Sequence, residues 1–182
     1  MAGGAWAQFF RSSFEYYAGR TMERLDGLTD EEYIWEPVPG CWTIRRDGDR
    51  MVADWSGPPP DPPPVTTIAW RLHHICGFLS AHGLRTVAFE RGEARWGLTV
   101  TVPATAADAC EAVGTAISAW ERDLEGVDDE RLWEPLGPAA GPIAGSTVGG
   151  FVEHIHDEFI HHSAEVALLR DLYRAGSIRS RS

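Results

Sequence analysis

One pattern occurs twice in the chain. GLTDEEYIWEP at residues 27–37 and GVDDERLWEP at residues 126–135 share the leading glycine, the acids and the WEP ending, and differ by one residue in length. Each copy follows a long amphipathic stretch. Each precedes, after a Pro- and Gly-rich connection, a second long stretch that carries histidines. Two helix–short helix–loop–helix halves packed on one another are the simplest path with that order, and they predict an all-α four-helix bundle.

The first long helix spans about Ala5 to Leu25, with Trp6, Phe9, Phe10, Phe14 and Tyr17 at three- and four-residue spacing. Thr29 and Glu32 have the form of a capping box for a short helix that stops before Pro37. Residues 37–64 contain PVPG and GPPPDPPP and read as an ordered, irregular crossover of polyproline character between the first two long helices. The second long helix follows Thr66 or Thr67 as N-cap and runs to about Glu90. The third is announced by TAAD, with Thr105 as cap and Asp108 at the third position, and reaches about Leu124. The fourth runs from near Ser146 to just before Gly176. Eight tryptophans are available to fill the core between them.

At 182 residues the chain reads as a single domain over 1–182. Its formal net charge of -11 repels phosphate backbones and excludes nucleic acid as a main partner, which leaves small molecules or proteins. All sixteen basic residues are arginine, so Schiff-base chemistry and a P-loop lysine are excluded. Cys41, Cys76 and Cys110 form no C-x-x-C pair and no disulfide framework, which suits a reducing cytoplasm. Neither a signal peptide nor an apolar run of about 18 residues is apparent, so a soluble cytoplasmic protein with no membrane partner is expected. No G-x-S-x-G or GxGxxG pattern occurs, and Cys76, two positions from His74, points to a different face of its helix.

All seven histidines fall in the second and fourth long helices, four of them within HIHDEFIHH at residues 154–162. At about 100° per residue, Phe151, Ile155, Leu169 and Leu172 mark a buried stripe on the fourth helix. His154, Glu158, His162 and Glu165 run along it, His156 projects to nearly the opposite side, and Asp157 sits on the flank. On the second helix Trp70, Phe78 and Ala81 mark the inner stripe with His74 at its centre. His73 lies about 100° away, and His82 sits off-centre on the other flank. A buried carboxylate is normally paired or metal-bound, so two facing files of ionisable groups predict a divalent ion held by His74, Glu158 and His162. Two nitrogens and one carboxylate oxygen leave a coordination position open, the pattern of a catalytic site. Glu165 and His161 are the candidate catalytic groups, as proton shuttles. His73, His154 and His161 are alternative ligands if the helical phase is off by one residue, and His73 and His161 can otherwise contact substrate or support the ligands.

W-x-x-x-H from Trp70 to His74, E-x-x-x-H within EFIHHSAEVALLRDLY, and the loop WEPVPGCWT resemble the DinB-like superfamily, and more narrowly its branch related to mycothiol-dependent maleylpyruvate isomerase and the bacterial thiol S-transferases. The resemblance implies a bundle of up-down-down-up topology, a three-ligand site for zinc, nickel or a similar divalent ion, and often a homodimer. The isomerase pattern of one His and an E-x-x-x-H pair falls on His74, Glu158 and His162. Only SIRSRS follows the fourth helix, so no extra C-terminal domain is expected. The function expected is a metal-dependent enzyme that activates a low-molecular-weight thiol such as mycothiol, for S-transfer or isomerisation, or activates water. The alternative is a non-catalytic metal- or small-ligand-binding, stress-responsive dimeric bundle. Trp42 and Arg45 are loop residues of unassigned role.

Overall fold

Side-chain caps fix where the helices begin. The computed structural model describes residues 4–58, 60–95 and 99–179. The first three residues of the N-terminal stretch, one proline of the GPPPDPPP run, Trp96 and the last three residues of the SIRSRS tail lie outside the described residues. The helices are α1 (Ala5–Leu25), α2 (Asp30–Tyr33), α3 (Ile68–Ala81), α4 (Arg85–Glu90), α5 (Ala106–Glu125), α6 (Asp129–Trp133) and α7 (Val148–Arg179). Thr29, Thr67 and Thr105 accept hydrogen bonds from the N–H groups of Glu32, Trp70 and Asp108, each three residues on. Asp128 and Thr147 do the same for Arg131 and Gly150. α7 continues through Gly176, where the sequence predicts its end; an isolated glycine costs a helix only about 1 kcal/mol.

α1 and α3 each pack against both α5 and α7. Their apolar faces form one buried cluster, centred on Phe14, Trp120 and Phe159. Among the described residues no helix is long and apolar enough to cross a membrane.

Five sequence expectations change. The chain is mostly helical but not all-α, because the predicted irregular crossover contains a hairpin, β1 (Ile44–Asp47) and β2 (Arg50–Ala53), paired from Ile44↔Ala53 to Asp47↔Arg50. Its turn is Gly48–Asp49, with Gly48 at φ 61°, a backbone conformation glycine adopts without penalty. The second predicted long helix divides into α3 and α4. His82 takes an extended C-cap conformation and its Nδ1 accepts the Leu84 N–H at 3.2 Å. The Arg85 guanidinium then ties the break to the carbonyls of Ser80 and Ala119 and to the Asp123 carboxylate.

The Thr29–Glu32 capping box is only half formed. Thr29 caps, but the Glu32 carboxylate is buried against Arg170, accepting from Nε at 2.7 Å and Nη2 at 3.1 Å. Arg170 is completely buried and also donates to the carbonyls of Arg24 and Asp26. Nor do the tryptophans all fill the core: Trp70 and Trp120 are buried, whereas Trp6, Trp55 and Trp133 are exposed, and Phe9 is exposed beside Trp6 on α1.

The buried face of α7 keeps Phe151, Ile155 and Leu169 of the predicted stripe but is turned away from Leu172. Val152, Ile155, His156, Phe159, Val166 and Arg170 face the core, while His154 and Leu172 are exposed. His156, expected on the surface, is therefore buried, and its Nε2 accepts a hydrogen bond from Trp120 Nε1 at 3.1 Å. The ring stacks on Phe14 at 5.0 Å. Burial alone pushes its pKa down to about 4, so the imidazole is neutral and acts as a core acceptor.

Candidate metal centre

α3 and α7 pack together, and their facing edges carry the candidate ligands. His74, Glu158 and His162 each offer a donor atom, and the three atoms lie within 4.8 Å of one another. Glu158 Oε2 is 3.0 Å from His162 Nε2 and 3.8 Å from His74 Nε2. The two imidazoles meet edge to face, with ring centroids 4.9 Å apart. The turn of α7 that buries His156 leaves Glu158 at the margin of the core and keeps His162 buried.

The donor set suits a divalent cation. Burial, reinforced by the neighbouring His162 and Arg71 and opposed by Glu158, pushes the His74 pKa down to about 4, so at neutral pH its ring nitrogen has a free lone pair. Two imidazole nitrogens and a carboxylate in one cluster match the ligand preferences of zinc and its borderline neighbours.

A second network stands behind His162. Its Nδ1 lies 2.7 Å from Glu165 Oε2. Glu165 is gripped from α3 by Arg71, with Nε at 2.7 Å and Nη2 at 3.3 Å. Burial would raise the Glu165 pKa, but the His162 hydrogen bond, then Arg71 and the two histidines, outweigh it and hold the group below its ordinary value. An ionised Glu165 at Nδ1 fixes the ring so that Nε2 faces Glu158 and His74. Arg71 also lies over the Trp70 ring at 5.1 Å, and Trp70 stacks on His74 at 5.1 Å and 24°. One guanidinium thus braces both histidines. The sequence reading did not single out Arg71, although WRLHH sets it between Trp70 and His74.

The remaining site residues disperse. His161 is exposed, with Nε2 3.4 Å from Glu165 Oε1. His161, His162 and Glu165 also meet the 4.8 Å separation, but Arg71 already engages that carboxylate, which disfavours a cation there. His73 lines a cavity beside the trio, and its Nδ1 is buried without a hydrogen-bond partner. His82 is half-buried against Phe151 rather than on the surface. Trp42 stacks on Trp70 at 5.5 Å, and Arg45 pairs with Asp54 at 3.1 Å. Burial raises all three cysteines, Cys76 to about 12, so none is a ready thiolate.

The family model of the DinB superfamily matches residues 14–166, a span that contains every one of these residues. The chain belongs to the DinB superfamily. A solved structure described as that of a conserved protein from Enterococcus faecalis is similar at a TM-score of 0.59, with 14% identity over 91% of this chain and 95% of that one. At that identity the likeness is one of fold. No curated protein matches the chain. Within this DinB-superfamily fold, the candidate trio joins one ligand from α3 to an i, i+4 pair from α7, the spacing that puts two side chains on one helical face.

Proposed function

We propose that this DinB-superfamily protein is a metal-dependent enzyme, a single-domain bundle of α1, α3, α5 and α7 in up-down-down-up order. Zinc or nickel is held by His74, Glu158 and His162. The observation that carries the reading is the convergence of two imidazoles and a carboxylate from two helices, with donor atoms within 4.8 Å of one another. When bound, such an ion supplies Lewis acidity that lowers the pKa of a thiol or water beside it.

In the thiol version of this reading the nucleophile comes from outside the chain. Its cysteines are held protonated by burial, so the nucleophile is a small thiol from outside, of the mycothiol type, used for S-transfer or isomerisation. Glu165 keeps His162 oriented, and it also joins His162 to the exposed His161, a side-chain route by which a proton leaves the site. The exposed stripe of Trp6, Phe9 and Tyr16 on α1 supports assembly as a homodimer.

Metal content by mass spectrometry on untagged protein tests the site, comparing wild type with Glu158→Ala. Near-stoichiometric zinc or nickel that is lost in the variant supports it, and no metal in either folded protein overturns it. Loaded protein that fails to transfer any small thiol to electrophiles reduces the role to metal binding.

A further inference from the structure

A cavity of about 1110 Å³ opens beside the candidate metal centre between the β1–β2 hairpin, α3, residues 99–104 and the start of α5. Its floor is one face of α3, since Trp70, His73, His74 and Gly77 fall at spacings of three, one and three residues. His74 therefore belongs both to the candidate trio and to the cavity wall. The volume lies a little above the usual range for small-molecule sites, about 300–1,000 Å³.

Three features say what the cavity accepts. First, Trp55 stands at its wall 73% exposed, a large aromatic surface left in water. It begins a series of rings, with Trp55 to Trp42 at 6.0 Å, Trp42 to Trp70 at 5.5 Å and Trp70 to His74 at 5.1 Å, that leads from solvent to the candidate ligand. Flat π-faces of this kind favour flat ligands. Second, the small side of the cavity is made by Gly77, where an added Cβ meets nothing within 4 Å, so the space there is open rather than filled by a neighbour. Third, the charged side chains on the wall are Asp49, Asp54, Asp108 and a single cation, Arg50. Arg45 pairs with Asp54 from outside, and Asp47 lies 3.7 Å from Arg50, so among the described residues the acids on the wall outnumber its cation, a balance that disfavours an anionic ligand.

We infer that the cavity binds a planar aromatic small molecule, uncharged or cationic, stacked against the exposed ring of Trp55 with one edge towards His73 and His74. His73 adds a ring to the same wall beside His74. The inference rests on the proposed metal centre only for what happens next, because a ligand seated there presents one edge to the His74 side. Binding itself needs no metal. The same charge pattern makes a dicarboxylate a poor occupant.

The test uses two fluorescent probes that differ by one charged group, neutral N-phenyl-1-naphthylamine and anionic 8-anilinonaphthalene-1-sulfonate. Titrations use the full-length protein and its Trp55→Ala, Gly77→Leu and Glu158→Ala variants. The neutral probe should bind saturably at one per chain and at least tenfold more tightly than the sulfonate. Trp55→Ala should weaken it about tenfold through lost stacking and burial. Gly77→Leu, which fills the floor, should abolish it while circular dichroism and metal content stay at wild-type values. Glu158→Ala should bind the neutral probe unchanged, so loss of the metal reading and loss of this one are seen separately. No saturable binding, equal affinity for both probes, or binding indifferent to Trp55 and Gly77 would overturn the inference.

Discussion

Asp30 and Asp129 occupy the same place in the two copies of the repeated pattern, and each caps the leading helix of the other half. The Asp30 carboxylate accepts the Ala106 N–H at 2.7 Å at the start of α5, and Asp129 accepts the Ala7 N–H at 2.8 Å at the start of α1. The next but one positions are exchanged in the same way. Glu32 reaches Arg170 on α7, and Arg131 donates to the carbonyls of Val87 and Ala88 on α4. The repeat is thus a reciprocal clasp between two halves. Either Asp→Ala change should cost about 1 kcal/mol, within the 0.5–2 kcal/mol range of lost helix caps. The two effects should add, because the sites share no partner. Urea unfolding of both single variants and the double reads this directly, and unchanged midpoints in the single variants would refute the clasp.

The Arg170–Glu32 pair carries a larger stake. Arg170 has no exposure and Glu32 has 3%, so removing one partner leaves the other charge buried. Glu32→Gln or Arg170→Met should destabilise by about 3–5 kcal/mol, whereas the paired change Glu32→Leu with Arg170→Leu should recover much of that loss. Chemical denaturation of all three variants decides it; a double variant as unstable as the sum of the singles would show that the pair matters for more than mutual neutralisation.

These two contacts also show what the sequence discloses. Thr67, Thr105 and the repeated acids announce helix starts through a rule that acts over three residues, and local rules can be read from one chain. The rotation of α7 cannot be read that way. Ile160, Leu168 and Leu172 lie on its exposed side, so apolar residues surround the helix and the period alone does not choose a face. Aromatic packing of Phe14 and Trp120 on His156 makes the choice, and that is tertiary information. His74, Glu158 and His162 still come together because turning the helix away from Leu172 moves Glu158 to the core's edge without separating it from His162. The hairpin had a local signal in the Gly48–Asp49 turn, but its four-residue strands have little alternation to support it.

Buried His156 should make the protein acid-sensitive. Its folded pKa, lowered by burial to about 4, lies below the ordinary 6.5, so the unfolded chain binds the proton first. Stability is fully present above pH 6.5 and falls as the pH drops towards 4, by up to about 3 kcal/mol from this residue. His156→Gln keeps an acceptor for Trp120 and removes the titration. On chelator-treated protein, unfolding free energies at pH 7.5 and 4.5 should differ less in the variant than in wild type; equal differences would mean that His156 is not the sensor.

Arg71 and Glu165 should set metal affinity without touching the metal. Glu165 holds His162 through Nδ1, and Arg71 holds Glu165 while lying over the ring that stacks on His74, so their loss frees both histidine ligands to turn. Glu165→Gln and Arg71→Ala should each weaken zinc binding about 10–100-fold, the usual cost of removing a partner behind a metal-ligating histidine. Arg71→Lys should recover little, because an ammonium does not stack on Trp70 as a guanidinium does. The double variant should lose less than the product of the singles, since one chain of contacts is broken in both. Competition against a fluorescent zinc chelator, with folding checked by circular dichroism, measures all four. Unaltered affinity in both single variants would leave the Arg71–Glu165 pair as packing alone.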